Sequence, residues 1–191
     1  LRAYGLTIPQ ILATPEASLN KIISKVGFHN RKARYILETT QILRDKHGGK
    51  VPDNLSELLE LPGIGPKMAI IILLVVYGTV AGISVDTHVH RISNQLKWTG
   101  PEPCKRPEQT RRELERRVPR ELWGDMNVLL VGLGQEMQTE MPKLLSKCLA
   151  CSRPVDALAL LEKLGKDPTT LLQKAHVPLP SAVEDYFSAQ S

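Results

Sequence analysis

The stretch Leu61-Pro62-Gly63-Ile64-Gly65-Pro66-Lys67 limits the folds open to this chain more than any other. Asn54 can cap a short helix that runs through Leu58, Leu59 and Glu60. The chain then stops, turns on two glycines and restarts a helix with Pro66 at a first helical position. Only glycine accepts the positive φ values and close backbone approach of so tight a turn, and Ile64 can plug the space between the two helices. The restart also leaves unpaired N–H groups at a positive helix end, where a phosphate is the natural ligand. An ordinary αα-hairpin with a glycine turn would use the same seven residues. The heptapeptide alone therefore fixes a helix–turn–helix unit and leaves its ligand open.

Helical periodicity recurs on both sides, with no convincing hairpin or alternating strand, so the chain reads as all-α. A short helix begins over residues 9–12. Thr14-Pro15-Glu16 offers an N-cap with proline at the first helical position, leading into Leu19, Ile22, Ile23 and Val26 before Gly27. Asn30 can cap the next helix, with Ala33, Ile36, Leu37 and Leu43 inward, Arg31, Lys32, Arg34 and Arg44 outward, and Gly48-Gly49 at its end. The apolar run over residues 68–85 approaches the length of a membrane span, but Gly78, Thr79 and Gly82 interrupt it and Asp86-Thr87-His88 follows at once. A buried helix of about ten residues and then a turn is expected instead, with no membrane partner. Residues 105–120 interleave Arg111, Arg112, Arg116 and Arg117 with Glu113 and Glu115, the pattern of a solvated, salt-bridged helix.

With 191 residues, 42% hydrophobic and 24% charged, the chain can bury a core and is neither disordered throughout nor a collagen-like fibre. Residues 1–151 carry 21 Lys and Arg against 15 Asp and Glu, whereas residues 152–191 carry 4 against 5, so an anionic partner is expected for the front of the chain. Three cysteines, an odd number, do not make a secreted disulfide framework, and a reducing compartment is expected. The start at Leu1, without an initiator Met or targeting segment, leads us to expect further sequence upstream.

Two residues carry candidate chemistry. Lys67 lies in the first turn of a nearly all-apolar helix; desolvation and the helix dipole both favour the neutral amine of such a lysine, and a neutral amine is a nucleophile. Asp86, nineteen positions on, is a candidate N-cap, where a carboxylate stays ionised and can serve as a base or face a developing cation. Taken singly, a surface lysine and a plain capping aspartate explain each residue as well.

LPGIGPKMA followed at this interval by VDTHVHRISNQLKW resembles the endonuclease III family, of the eukaryotic type, among helix-hairpin-helix DNA glycosylases. GLTIPQIL, VGFHNRKARYI, HGGKVP and RRELERRVPRELWGDMNVLLVGLGQ extend the resemblance from Leu1 to about Gln135. It implies a helical bundle incomplete at its N-terminus, with a six-helix-barrel portion over residues 1–135 and the hairpin at about 54–77. It also implies a bifunctional glycosylase and abasic-site lyase of base excision repair, a monomer acting on duplex DNA with oxidised pyrimidines or abasic sites, in nucleus and mitochondrion. Lys67 would be the nucleophile that forms a Schiff base, and Asp86 would activate it and stabilise positive charge. Gly63, Ile64 and Gly65 would grip a backbone phosphate. Phe28 and His29 would lie in the loop that enters the opened base stack, with Phe28 as the wedge, or else as core at a helix end. Arg31, Lys32, Arg34, His88 and Arg91 would contact DNA.

The chain also departs from this family. Its members hold a 4Fe-4S cluster through Cys-x6-Cys-x2-Cys-x5-Cys, but here only Cys148 and Cys151, the central pair, are present. Met137 and Gln138 stand near the first ligand position and Ala157 at the last, so residues 136–151 read as the remnant of a cluster loop and no bound cluster is expected. Residues 152–191, ending in VPLPSAVEDYF, match nothing in the family and read as a divergent extension. The family's pocket-lining helix would precede Leu1, which raises the alternative of an impaired variant that only binds DNA through its hairpin.

Overall fold

Every regular element among the described residues, 4–175 together with Val183 of the computed structural model, is helical. The chain divides into two compact units, Leu1–Ala81 and Gly82–Ser191.

The first unit holds α1 (Ile8–Ala13), α2 (Glu16–Ile22), α3 (His29–His47), α4 (Leu55–Glu60) and α5 (Pro66–Tyr77). α3 is its spine. The first half of α3 places Ala33, Ile36 and Leu37 against Leu19 and Ile23. Its second half adds Ile42 and Leu43 to a separate core of Leu58, Leu61, Ala69 and Leu73 from α4, α5 and the turn between them. Complete burial of a leucine such as Leu19 or Leu58 stabilises by about 1.5–3 kcal/mol. Gly48 ends α3 in the left-handed region, and the Gly49 N–H returns to the Leu43 carbonyl at 2.8 Å.

Two caps differ from the sequence reading. Thr14 does not cap α2: its hydroxyl donates to the Gln10 carbonyl at 2.6 Å, so it closes α1, and Pro15 precedes α2. Asn30 lies inside α3 and its side chain accepts from Asn20, while Phe28 holds the N-cap position. The apolar run ends where expected, with α5 spanning 12 residues and Gly78 turning left-handed after it. Among the described residues no helix is long and apolar enough to cross a membrane.

The second unit holds α6 (Thr87–Gln95), α7 (Pro107–Arg117), a 3₁₀ turn (Arg120–Leu122), α8 (Trp123–Thr139), α9 (Met141–Ala150), α10 (Pro154–Lys163) and α11 (Pro168–Ala175). α8 is the shared surface, packing against both α6 and α9. The ion pairs expected on α7 form: Arg111 bridges Glu108 and Glu115, and Arg116 and Arg117 both reach Glu113. Arg111 holds the Glu108 carboxyl below its ordinary value.

Residues 136–151 do not form an irregular loop: α8 continues to Thr139 and α9 follows directly. Nor does the following segment stand apart. Leu158, Leu161, Leu164 and Leu172 share one core with Met137 and Leu145, and Val183 is buried in it as well. The rest of VPLPSAVEDYF lies outside the described residues.

Candidate functional site

In the first unit the hairpin is braced from α3. The Asn54 side chain accepts the Glu57 N–H at 2.9 Å and starts α4. The Thr39 hydroxyl donates to the Pro62 carbonyl at 3.1 Å. Gly63 has φ of 78°, and a Cβ added there would lie 2.5 Å from the Tyr35 ring. This glycine is required twice, by conformation and by contact. Gly65 is not: its φ is −98° and nothing lies within 4 Å of an added Cβ. Only one of the two glycines therefore makes the turn, and the other leaves the start of α5 bare.

That bareness matters electrostatically. Gly65 supplies no side-chain cap to α5 and Pro66 has no N–H, so the first-turn N–H groups of Lys67 and Met68 remain for an external acceptor. Ile64 packs against the hairpin core as a plug. Lys67 is exposed, so the expected apolar surround is absent and its helix position is what distinguishes it. Gly63 and Ile64 also line a cleft of about 360 Å³ with Lys32, Tyr35 and Met68.

At the start of α3, Phe28 is 82% exposed, with φ of 59°. Core packing at a helix end is thus excluded for it. A bulky residue in the left-handed region is an outlier that costs about 1–2 kcal/mol. His29 is tied through Nδ1 to the Asn20 side chain on α2. Arg31 and Lys32 are exposed and, among the described residues, form no ion pair, whereas Arg34 is engaged by Glu38 at 2.6 Å. The first unit carries 10 Lys and Arg against 6 Asp and Glu, and the second 15 against 14, which concentrates the basic excess beside the hairpin.

In the second unit Asp86 is the N-cap of α6, its Oδ1 accepting the Val89 N–H at 2.8 Å. The cap fixes the carboxylate at a positive helix end and leaves Oδ2 outside the capping bond. Arg91 donates to Gln95 at 2.9 Å. His88 is half-buried against α8: a Cβ added at Gly134 would lie 2.3 Å from its Nδ1. That ring packs on backbone, a role its sequence context did not announce. Tyr35 and Gly134 were likewise invisible beforehand, since both act through residues remote in sequence.

The donor set does not fit a four-ligand cluster. Cys148 is buried in the last turn of α9, and Cys151 is exposed, its Sγ donating to the Cys148 carbonyl at 3.1 Å. Seven residues before Cys148 stands Met141, the first residue of α9, rather than Met137 or Gln138 in α8. Met141 and Ala157, at the two outer ligand positions, both pack on the apolar core that contains Cys148. Among the described residues no third His, Cys, Asp or Glu joins the pair in a metal-holding group.

The family described as "HhH-GPD superfamily base excision DNA repair protein" matches residues 1–120. Endonuclease III-like protein 1 of Bos taurus is 50% identical over 151 residues, 79% of this chain and 48% of that protein. Endonuclease III homolog 1 of Saccharomyces cerevisiae is 47% identical over 131 residues, 69% of this chain and 33% of that protein. The chain thus spans half or less of the length of these relatives. A non-covalent endonuclease III–DNA complex is similar with a TM-score of 0.66 at 27% identity, over 90% of this chain and 73% of that one. A trapped endonuclease III–DNA covalent intermediate gives 0.65 at 29%, over 78% and 68%.

Proposed function

The chain belongs to the HhH-GPD superfamily of base excision DNA repair proteins, and from that premise we propose that it is a DNA glycosylase with abasic-site lyase activity, acting on oxidised pyrimidines in duplex DNA. The observation that carries this reading is an exposed lysine, Lys67, in the uncapped first turn of the helix that leaves a glycine hairpin. The similar endonuclease III, whose covalent intermediate with DNA has been trapped, supports it.

In this reading the Gly63–Ile64–Gly65 main chain and the free N–H groups of α5 take a backbone phosphate. The Lys67 amine attacks the anomeric carbon, and the base departs with the electron pair of the glycosidic bond. The sugar ring opens to a Schiff base on Lys67, and loss of a proton from the adjacent carbon expels the 3′ phosphate by β-elimination. To Asp86, the N-cap of α6, this reading assigns acceptance of the amine proton and stabilisation of the positive charge that develops on the sugar. Arg31 and Lys32 neutralise phosphates. Extruding the nucleotide costs a few kcal/mol of stacking, and Phe28, presented outward on a strained backbone, fills the stack behind it.

The test is borohydride reduction in the presence of a duplex carrying an abasic site or thymine glycol. A covalent protein–DNA adduct is expected. A mobility shift without any adduct would instead make the chain a hairpin-mediated DNA binder.

Phe28→Gly separates function from stability. Relief of the left-handed strain, less the entropy of a glycine, should stabilise the fold to urea by about 0.5–1 kcal/mol, while adduct formation slows. A destabilised variant would show that Phe28 is a packing residue after all.

We also propose that this chain carries no 4Fe-4S cluster, because Met141 and Ala157, packed on the apolar core, occupy the outer ligand positions. Protein from iron-replete cells should contain no stoichiometric iron and show no visible absorption band. Cys148→Ala should cost about 1 kcal/mol as lost packing, and the exposed Cys151→Ala nothing measurable. Stoichiometric iron that disappears in either variant would refute this.

A further inference from the structure

Residues 82–85, which deliver the chain to Asp86, are buried yet belong to no helix and pair with no strand. Ile83 is fully buried, Ser84 is 4% exposed and Val85 7%. Buried backbone without regular structure must find its hydrogen bonds elsewhere. Two side chains from two different helices provide them. Glu115 on α7 accepts the Ile83 N–H at 2.9 Å, and Asn127 on α8 donates through Nδ2 to the Ser84 carbonyl at 2.8 Å. Glu115 is itself held by Arg111, whose Nη1 donates to its other carboxylate oxygen at 2.5 Å. The main chain of two adjacent residues just before Asp86, Ile83 and Ser84, is therefore clamped from two helices, and Ile83 and Val85 anchor the same stretch in the core.

We propose that Glu115 and Asn127 are positioning residues for Asp86: they fix where the segment enters α6, and so where the capping carboxylate stands. This rests on the role given to Asp86 above. α6 could be capped in many placements relative to α7 and α8, and the two clamps select one. Neither residue touches the reacting atoms in this account. Their effect is on the geometry of a group that does, and a misplacement of about 1 Å in such a group can cost up to ~100-fold in rate.

The experiment uses the full chain and two readouts. Asn127→Ala and Glu115→Ala should each slow single-turnover adduct formation by about 10-fold or more. Affinity for a duplex with tetrahydrofuran, an uncleavable abasic analogue, should stay within about twofold, because phosphate binding is assigned to the hairpin. Hydrogen exchange read by mass spectrometry should rise in the peptide spanning residues 82–90 and not in the α4–α5 hairpin. Asn127→Asp keeps the shape but aims an acceptor at the Ser84 carbonyl, and it should behave like the alanine variant. An unchanged rate, a parallel loss of rate and affinity, or unchanged exchange over residues 82–90 would overturn the proposal. If the unmodified chain forms no adduct, the glycosylase reading falls, and the exchange measurement still decides whether these side chains hold the segment.

Discussion

Lys67→Gln is expected to abolish the borohydride-trapped adduct, lowering its rate of formation by at least ~1,000-fold, because an amide has no free amine with which to form a Schiff base. The same substitution should hardly disturb the fold. Lys67 is exposed, glutamine matches lysine in helix propensity, and exposed substitutions of this kind fall within about 0.5 kcal/mol. The sign should favour the variant slightly, since a cation in the first turn of a helix opposes the macrodipole, by about 0.3–1 kcal/mol. Binding to the tetrahydrofuran duplex should survive, with the slope of log affinity against log salt reduced by at most ~0.9 for one lost phosphate contact. An adduct of undiminished yield in Lys67→Gln would place the nucleophile elsewhere and remove the main support for the lyase reading.

Gly63→Ala should have the largest effect on stability of any single methyl group added to the hairpin. The φ of 78° costs an alanine about 1–2 kcal/mol. The new Cβ, 2.5 Å from the Tyr35 ring, forces that ring or the turn to move. Together these should destabilise the first unit by about 2–4 kcal/mol and weaken DNA binding as the turn shifts. Gly65→Ala is the comparison. Its backbone is extended and the space is open, so stability should change by less than ~0.5 kcal/mol, while the methyl group intrudes where a phosphate would approach. Combining Gly63→Ala with Tyr35→Ala should recover the steric part of the loss and not the conformational part, which a double-mutant cycle in urea resolves. Equal stabilities for the two glycine variants would show that Tyr35 yields freely and that the turn tolerates a side chain.

Local chemistry was the legible part of this sequence. Asn54 and Asp86 cap the helices they precede, Gly48 and Gly78 end theirs, and the charges of α7 pair along one helix, because each of these depends on residues three or four apart. Where two local signals competed, the sequence could not choose. Asn30 was the better cap by residue type, yet Phe28 holds the position, since Asn30 is engaged by Asn20 ten residues away. Gly63 and Gly65 looked equivalent, and only the approach of Tyr35 from α3 tells them apart. Glu115 carried only the signal of its ion pair with Arg111, and Asn127 none. Their backbone partners lie 32 and 43 residues away in sequence, and the pairing exists only once α7 and α8 have packed around residues 82–85. The segment around the cysteine pair, expected as a loop, is helical, because its apolar residues fall at helical spacing and pack on the core.

A C-terminal core built from leucine carries a thermal signature that metal–thiolate bonds would not. Apolar burial contributes a large positive heat capacity of unfolding, so the stability of α9 to α11 follows a curved dome and weakens on cooling as well as on heating. On the cluster-free reading proposed above, this core assembles from the polypeptide alone, and the hold of α10 and α11 on α9 is set by temperature rather than by the supply of iron.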